Sequence, residues 1–558
     1  MSAVLVPYPA YKPTDVEWLG DIPEHWYIKY AKRLFQKMER SDRESDGVVT
    51  CFRDGTVTLR KNRRELGFTE SIKEIGYQGI RRGDLVIHSM DAFAGAIGVA
   101  DSDGKGTPVY SVCKPGPQTN AWYYAYTLRE MSRNKWIQAL AKGIRERSSD
   151  FRYKDFGAQF VPFPPLPKQA TIVRYLDHAD RRIQRYIRAK EKLIALLEEQ
   201  KQAIIHQAVT GQIDVRTGQP YPAYKPSGVE WLGDVPGHWD VRRLRNISDL
   251  RVSNVNKHSQ SGEISIRLCN YVDVYKNDRI HTDMPFMEAT ATMNEIERFR
   301  LQSRDVLITK DSEVWNDIAV PALVQNAEDD IVSGYHLALL RPDTTTLLGE
   351  FLFRALQSRG VAHQLHVRAN GVTRYGLSYS AIKSVQLPVP PLPEQNAIAR
   401  FLDETTASIK RAIAHAQRQI ELFREYRTRL IADVVTGKLD VREAADALPE
   451  FDPLADDDEM DDHFDAGDES DFDGREESAE VTGRLDVVTG KLDVREAADG
   501  LSELDPLAAA DEMDGHFDAG DESDFDGREE SVESQVDRVG VFFRGVHAQA
   551  WDVTQMAT

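Results

Sequence analysis

The feature that most constrains this 558-residue chain is an internal duplication. A 19-residue segment from Tyr8 to Trp26 recurs from Tyr221 to Trp239, and 15 of the positions are identical. A second motif, Pro-Pro-Leu-Pro-(Lys/Glu)-Gln, also occurs twice. The copies of the first motif are 213 residues apart and those of the second 226, so the two halves match at their ends and differ between them. A repeat of this length predicts two folded units built on one plan.

Each Pro-rich motif is followed by a stretch of about 40 residues without proline or glycine, which predicts a long helix. We place the two helices at residues 168–210 and 394–436. Proline is tolerated in the first turn of a helix, and a glycine stands directly after each stretch, where a helix commonly ends.

Apolar residues recur along both stretches in alternating steps of three and four, the spacing of a coiled-coil seam. We therefore expect the two helices to pair antiparallel with approximate twofold symmetry. The alternative is that each helix packs only on its own domain. The predicted seam positions are Leu176, Ala179, Ile183, Tyr186, Lys190, Leu193, Leu197, Gln200 and Ile204, and in the second helix Leu402, Thr405, Ile409, Ala412, Ala416, Gln419, Phe423, Tyr426 and Leu430.

The divergent middles combine short aliphatic runs with helical stretches, which is typical of mixed α/β domains. The fold class is therefore predicted as α/β, with two tandem mixed domains joined by two long antiparallel coiled-coil helices in pseudo-twofold symmetry. The domains are placed at residues 1–167 and 211–393. Strands are predicted at residues 84–88, 108–112, 305–309 and 336–340, and helices at 121–142 and 347–363.

The net charge of -20 conceals two regions of opposite sign. Residues 446–558 hold 36 acidic and 7 basic side chains, which leaves residues 1–445 with a net charge of +9. The folded part can therefore bind phosphate groups. Residues 437–558 are predicted to be a disordered acidic tail, in which residues 434–478 are repeated almost unchanged at 487–531.

Composition excludes several classes of protein. The three cysteines are far apart and odd in number, which indicates reduced thiols rather than disulfides or a four-ligand zinc site. No run reaches the ~18 apolar residues of a membrane span, and residues 1–13 lack the pattern of a secretory signal. We therefore expect a cytoplasmic protein without a membrane partner.

The repeated motifs resemble those of one known family. The pattern Val-Glu-Trp-Leu-Gly-Asp-(Ile/Val)-Pro-x-His-Trp is similar to the start of a target-recognition domain in the DNA-specificity subunits of type I restriction-modification systems. The Pro-Pro-Leu-Pro entry into a long helix that ends near Thr-Gly resembles the same family. Inner segments at residues 89–98 and 305–311 add to the resemblance, although Asp91 and Ala94 depart from the common pattern. The similarity covers roughly residues 8–445 and excludes the tail.

Membership in this family implies a division of labour. Each recognition domain would read one half of a split site on double-stranded DNA, and the paired helices would set the distance between the halves. The chain would dock two modification subunits, which carry S-adenosylmethionine and methylate adenine. Restriction subunits would add translocation and cleavage with ATP and Mg. The chain itself would bind no cofactor.

The motifs of catalysis are missing from the sequence, in agreement with that implication. There is no Gly-x-x-x-x-Gly-Lys-(Ser/Thr) loop, no Asn/Asp-Pro-Pro-Tyr/Phe methyltransferase motif and no His-Glu-x-x-His zinc motif. Catalytic and metal-binding residues are therefore predicted to be absent. Two alternatives stay open: a self-contained methyltransferase or nuclease, and a coiled-coil adaptor that binds only proteins.

Residues that contact DNA are expected where the two copies differ, because specificity must reside in the divergent middles. Arginine and asparagine can hydrogen-bond guanine and adenine at two points each. The candidates are Lys142, Arg145, Arg147, Arg152 and Lys154 in the first domain, and Lys310, Arg368, Asn370, Thr373, Arg374 and Tyr375 in the second.

Overall fold

A computed structural model describes residues 5–63, 76–140, 150–446 and 448. The predicted tail lies outside these residues except for its first positions. Contacts within the described chain form two units. Unit 1 comprises residues up to 186 together with those from 422 onward, and unit 2 comprises residues 187–421. Each unit therefore contains part of each long helix.

The first half consists of short strands, three short or medium helices and one long helix. The strands are β1 (Tyr11–Lys12), β2 (Ile22–Pro23), β3 (Tyr27–Tyr30), β4 (Phe35–Lys37), β5 (Val49–Cys51), β6 (Val57–Leu59), β7 (Gln78–Ile80), β8 (Leu85–His88), β9 (Ile97–Val99), β10 (Gly104–Gly106), β11 (Tyr110–Pro115) and β12 (Phe160–Phe163). The helices are α1 (Ala121–Arg133), α2 (Trp136–Leu140), α3 (Tyr153–Gly157) and α4 (Leu166–Thr210).

The second half, as far as the structure describes it, has more strands than the first and again one long helix. The strands are β13 (Tyr224–Pro226), β14 (Asp234–Pro236), β15 (Asp240–Arg243), β16 (Ser248–Val252), β17 (Ile264–Cys269), β18 (Arg279–Ile280), β19 (Met287–Ala291), β20 (Val306–Thr309), β21 (Asp311–Ser312), β22 (Pro321–Val324), β23 (Ile331–Ser333), β24 (Leu337–Pro342), β25 (Tyr375–Gly376) and β26 (Gln386–Val389). The helices are α5 (Tyr271–Lys276), α6 (Met293–Phe299), α7 (Gly349–Gln357), α8 (Arg359–His366), α9 (Tyr379–Ser384), α10 (Leu392–Val435) and α11 (Arg442–Asp446).

A mainly antiparallel sheet forms the centre of each unit. In unit 1 the strand order is β4-β11-β8-β9, and in unit 2 it is β16-β24-β20-β22-β18. The central strands β8 and β20 are continuous aliphatic runs, and Leu85, Val86, Leu307 and Ile308 are each 0% exposed. Both faces of these strands are covered, so a continuous apolar run replaces the alternation of a half-exposed strand. The chain is thus mixed α/β with long helices.

The two helical runs predicted in the middles are each broken in two. The first ends at Arg133 and resumes at Trp136, because Lys135 has a left-handed backbone with φ of 65°. The second is interrupted at Ser358, whose extended backbone (ψ 131°) separates α7 from α8. No proline or glycine marks the first break, so the sequence pattern did not show it, whereas Gly360 lies two residues after Ser358, in the first turn of α8.

The repeated motifs hold the start of each long helix. Gln169 and Gln395 are both 0% exposed. The Gln169 side chain donates to the Pro164 carbonyl (2.8 Å) and accepts from the Asn120 backbone N–H (2.8 Å). Gln395 makes the equivalent bonds with Pro390 and Leu348 in unit 2. The glutamine of the Pro-rich motif therefore fastens the start of α4 to the start of α1, and the start of α10 to the start of α7.

Each long helix ends on the tryptophan of the other repeated motif. Gly211 and Gly437 have φ of 74° and 81°, which terminates the helix. A Cβ atom on Gly211 would lie 2.9 Å from the Trp239 ring, and one on Gly437 would lie 3.0 Å from the Trp26 ring. Glycine is needed at both positions for this close packing as well as for the turn.

The helices run antiparallel in unit 1, where the start of α4 lies beside the end of α10. The rings of Tyr186 and Phe423 stack at 5.5 Å, and Asp180 forms an ion pair with Arg427. In unit 2 the end of α4 and the start of α10 share one core cluster, which includes Ile204. Among the helices that the structure describes, none combines the length and apolar composition that a bilayer span requires.

One of the two predicted columns of the second seam is displaced by one residue. The column of Leu402, Ile409 and Leu430 is buried as predicted. The other column passes through Thr406, Ile413 and Ile420 instead of Thr405, Ala412 and Gln419, and the predicted Tyr426 is 51% exposed. In the first helix the predicted Leu193 is 37% exposed, and Ile187, next to the predicted Tyr186, is buried. Residues three and four positions apart lie on the same helix face, so the spacing does not fix which of two adjacent residues is buried. The packing partner decides this.

Candidate nucleic-acid interface

In unit 2 the candidate site begins where strand β20 ends. Lys310 follows this strand, and its ammonium donates to Asp311 Oδ2 at 2.7 Å. His336 Nδ1 lies 2.6 Å from the same carboxylate oxygen. Burial alone would raise the pKa of Asp311, but the hydrogen bonds from Lys310 and His336 outweigh it, and the pKa is lowered. The Lys310 side chain is 20% exposed and is held by this network. It therefore stabilises the turn and does not extend into solvent.

The loop at residues 370–376 is attached directly to this turn. Strand β25 pairs with β21, so that Ser312 is opposite Tyr375, and the Leu377 N–H donates to the Lys310 carbonyl at 2.8 Å. Asn370 and Gly376 exchange backbone hydrogen bonds of 3.1 and 2.9 Å, which close the loop. The predicted residues 310 and 370–375 therefore belong to one surface, although they are 60 positions apart in the chain.

A close backbone approach fixes the shape of this loop. A Cβ atom on Gly371 would lie 1.9 Å from the Arg374 carbonyl oxygen, so only glycine fits there. Val372, Thr373 and Arg374 are consequently presented at the tip, and Val372 is 72% exposed. Tyr375 is half-buried and packs against the core of unit 2.

Aromatic side chains surround the loop, and sequence reasoning did not include them in the site. Tyr271 stacks on Tyr275 at 5.4 Å, and the pKa of Tyr271 is raised mainly by burial while the nearby Arg374 acts to lower it. Trp315 is 46% exposed and Tyr335, next to the His336 ring, is 41% exposed. An aromatic residue shortly after a predicted strand, such as Trp315 after residues 305–309, was the signal available in the sequence. We call the turn at 310–317, the loop at 370–376 and these aromatic residues the reading face.

The charge on the reading face is mixed. Glu313 and Asp317 also lie near Tyr271, and the Tyr275 hydroxyl donates to Asp317 at 2.6 Å. Such a face is poorly suited to non-specific attraction of phosphates, which requires a basic surface. Exposed Arg374, Thr373 and Asn370 beside apolar groups suit contacts with base edges, including the thymine methyl group.

Unit 1 builds a related turn after β8. The Phe151 N–H donates to the Ser89 carbonyl at 3.1 Å, as the Leu377 N–H does to Lys310 in unit 2. Asp91 lies 3.2 Å from an Arg53 guanidinium nitrogen, and the neighbouring Met90 is 47% exposed. The motif at residues 89–98 and the segment near residue 150 therefore lie together.

The remaining residues that were predicted to contact DNA form three groups. Lys142, Arg145 and Arg147 lie outside the described residues. Arg152 and Lys154 are exposed at the start of α3, and Arg152 forms an ion pair with Asp150 at 2.6 Å. Arg368 is half-buried, and its guanidinium donates to the Gln364 carbonyl at 2.6 Å, so it points back to helix α8.

In the part of the chain that the structure describes, no group of three or more His, Cys, Asp or Glu side chains has the usual arrangement of metal ligands. All three cysteines are buried thiols.

This chain is similar to a described protein family and to several known proteins. A family model described as the type I restriction modification DNA specificity domain matches residues 236–422, which include the whole reading face. A putative type I restriction enzyme MjaX specificity subunit from Methanocaldococcus jannaschii is 20% identical over 469 residues, which cover 77% of this chain and 97% of that protein. The resemblance to type I specificity subunits is confirmed.

Another specificity subunit and a solved structure are also similar to this chain. The type I restriction enzyme EcoKI specificity subunit of Escherichia coli K12 is 24% identical over 301 residues, half of this chain and 57% of that one. A chain from a structure of complex assembly and conformational transition in the type I R-M system has 15% identity and a TM-score of 0.54. It covers 74% of this chain and 98% of its own length, and it shows that the two share a fold.

Proposed function

We propose that this chain is the sequence-reading subunit of a type I restriction-modification complex and that it recognises a split DNA site. The observation that carries the proposal is the reading face, an exposed loop beside aromatic side chains within the matched specificity domain. On this proposal the two units are tandem target-recognition domains with approximate twofold symmetry, and each reads one half of the site.

The two kinds of DNA contact are divided between different residues. The Asn370–Arg374 loop and the exposed Trp315 enter a groove and contact base edges, since an α/β surface loop with a rigid base can be held in register. Basic side chains outside the reading face contact phosphates and position the duplex, without reading its sequence. The Lys310–Asp311–His336 network keeps the base of the loop rigid.

Catalysis is assigned to partner subunits. Two modification subunits supply S-adenosylmethionine and methylate adenine, and restriction subunits supply translocation and cleavage with ATP and Mg. This chain contributes no catalytic residue; it selects the DNA, docks those subunits, and uses the long helices to set the distance between half-sites. We place the complex in the cytoplasm.

Methylation mapping tests the proposal and identifies the target. Host DNA is sequenced for N6-methyladenine with the gene present, deleted and restored, while the partner genes are expressed. We expect methylation at one split motif to disappear on deletion and to return on restoration. An unchanged methylation pattern would refute the proposal.

Variants of the reading face sharpen the same experiment. Replacing Arg374 with alanine should weaken or relax methylation at one half of the motif and leave the base requirement of the other half unchanged, with about 1–3 kcal/mol lost for the contacted base pair. Arg242→Ala is the matched control, because Arg242 is an exposed arginine of β15 that pairs with Asp240. Equal effects of both substitutions would remove the reading face from the proposal.

The alternatives predict different results. A self-contained enzyme would methylate or cut DNA as the purified chain with S-adenosylmethionine or a divalent metal. An adaptor that binds only proteins would assemble with the partner subunits, but the complex would not discriminate between DNA sequences.

A further inference from the structure

Unit 1 is completed by a segment that follows helix α10, residues 433–446. Val434, Val435 and Ala445 are 0% exposed and Val441 is 1% exposed. The Asp440 N–H donates to the Val6 carbonyl at 2.8 Å in an antiparallel bridge. The last turn of α10 and α11 therefore form part of the core of unit 1.

Hydrogen bonds and a cation–ring contact fix the position of this segment in unit 1. The Tyr11 hydroxyl donates to the Lys438 carbonyl at 2.9 Å, and the Tyr123 hydroxyl donates to the Val435 carbonyl at 2.8 Å. Arg442 pairs with Asp440 and lies over the Tyr8 ring at 5.8 Å. Both hydroxyl bonds are made to the backbone, so any chain with the same buried side chains can accept them.

The same sequence occurs a second time. Residues 486–499 read Asp-Val-Val-Thr-Gly-Lys-Leu-Asp-Val-Arg-Glu-Ala-Ala-Asp and are identical to residues 433–446 at all 14 positions. The copy therefore holds every side chain that the first segment buries in unit 1, together with the glycine that the turn requires. A shorter match at residues 481–487 is incomplete, because Lys491 would occupy the buried position of Ala445.

We propose that residues 486–499 are a second occupant of the site in unit 1 that holds residues 433–446, and that they replace the first segment when it is damaged or displaced. The exchange occurs within one chain, since a tethered copy has a much higher effective concentration than a copy on another molecule. The occupant is thus a named segment of this chain, and its identity with the resident segment is the complementarity that the site requires.

The length of the intervening chain sets the balance between the two occupants. Use of the copy leaves a 53-residue loop, whose closure disfavours it by about 400-fold if the probability of closure falls as the three-halves power of length. The first segment is therefore the resident in the intact protein. The copy takes over only when a change weakens the first segment by more than that factor, and a charge placed in the buried cluster meets this condition.

Disulfide trapping in the full-length chain tests the exchange. Val6 is replaced by cysteine together with either Asp440→Cys or Asp493→Cys, which occupy equivalent positions in the two copies. The natural cysteines do not interfere, since Cys51, Cys113 and Cys269 are at most 5% exposed. We expect the 6–440 bond to form rapidly under mild oxidation and the 6–493 bond to form at below about one per cent of that initial rate, as the 400-fold balance requires.

A lesion in the first segment should reverse this preference. With Val441→Asp added, the 6–493 bond should become the major product, and adding Val494→Asp to the same chain should abolish it. Val494→Asp alone is the matched control and should leave the 6–440 bond unchanged. A 6–493 yield that does not respond to Val441→Asp would overturn the proposal.

Thermal unfolding gives a second readout that does not depend on disulfide formation. Val441→Asp should lower the melting temperature of unit 1 more in a chain that stops after Ser478 than in the full-length chain, because only the latter holds the copy. Equal losses in the two chains would also overturn the proposal.

Discussion

Within their matched motifs, the two units differ at the position that precedes the glutamine of the Pro-rich motif, which is Glu394 in unit 2 and Lys168 in unit 1. The Glu394 carboxylate accepts hydrogen bonds from the Tyr221 hydroxyl (3.0 Å) and the Trp239 indole N–H (2.9 Å), and His238 lies at 2.9 Å. The carboxylate is therefore the acceptor for the polar groups of the repeated Tyr and His-Trp motif.

Unit 1 keeps the donors of this network and replaces the acceptor with a cation. Lys168 contacts His25 and lies 4.6 Å from the centre of the Tyr8 ring. Among the residues that the structure describes, none offers an acceptor to the indole N–H of Trp26, which is 0% exposed. Burial and the neighbouring Lys168 lower the pKa of His25.

The repeated tryptophan packs in the same way in both units, and in unit 1 it does so without the indole hydrogen bond. Both indole rings support a helix-ending glycine, but only one has its N–H satisfied. A buried unsatisfied donor costs about 1–3 kcal/mol, so we expect unit 1 to carry a local loss of stability that unit 2 avoids.

Removing the carboxylate from unit 2 should have the largest effect. Glu394→Ala leaves two buried donors without an acceptor and should lower the free energy of unfolding of unit 2 by about 2–4 kcal/mol. Urea-dependent hydrogen exchange on peptides from residues 221–239 measures this change. Lys168→Ala, at the equivalent position, should change unit 1 by less than about 1 kcal/mol, and equal losses in both units would show that Glu394 is not the critical acceptor.

Introducing the carboxylate into unit 1 is the reciprocal experiment. Lys168→Glu should supply an acceptor for Trp26 and stabilise unit 1 by about 1 kcal/mol, since the Asp440–Arg442 pair nearby matches the Asp214–Arg216 pair beside Glu394. Hydrogen exchange on peptides from residues 8–26 reports the gain, and Lys168→Met is the control without an acceptor. If Met stabilises as much as Glu, removal of the cation is the cause.

The helix pair offers a smaller contrast. Tyr186 stacks on Phe423 in unit 1, whereas the positions 226 residues away from them in unit 2 are Ala412 and Leu197. Tyr186→Leu should destabilise unit 1 by about 0.5–1.5 kcal/mol beyond the loss of buried area. Chemical denaturation followed by exchange measures it, and Leu193→Ala, at an exposed position of the same helix, should stay within about 0.5 kcal/mol of the wild type. A larger effect of Leu193→Ala would show that the predicted seam was right at that position.

The smallest expected effect is the part of the pH dependence of unit 2 that comes from Glu394. Burial opposes the charge of Glu394, but its hydrogen bonds prevail and lower its pKa below the usual value of 4.5. A carboxyl whose pKa is lowered by folding contributes stability above its unfolded pKa, and this contribution is lost as pH falls through the folded value. The stability difference between wild type and Glu394→Gln should therefore shrink below about pH 4.5, whereas a constant difference would mean that the charge of Glu394 contributes nothing.

The sequence alone determined the repeated plan of this protein, because identical motifs make identical local contacts. The buried glutamines, the helix-ending glycines and the tryptophans beneath them follow from residues that are printed twice. The aliphatic runs at residues 85–87 and 306–308 likewise predicted the central strands, since each is long enough to form a buried strand and too short for a helix.

Tertiary structure decided what periodicity left ambiguous. Steps of three and four predicted the seam columns equally well, and the facing helix selected Ile413 and Ile420 over their neighbours. The sequence predicted only part of the reading face. Its composition indicated the loop at residues 370–376, but the aromatic residues beside that loop come from distant segments. Contacts such as those of Leu377 with Lys310, and of Tyr375 with Ser312, join segments more than 60 residues apart, and no local pattern encodes which distant segment will be the partner.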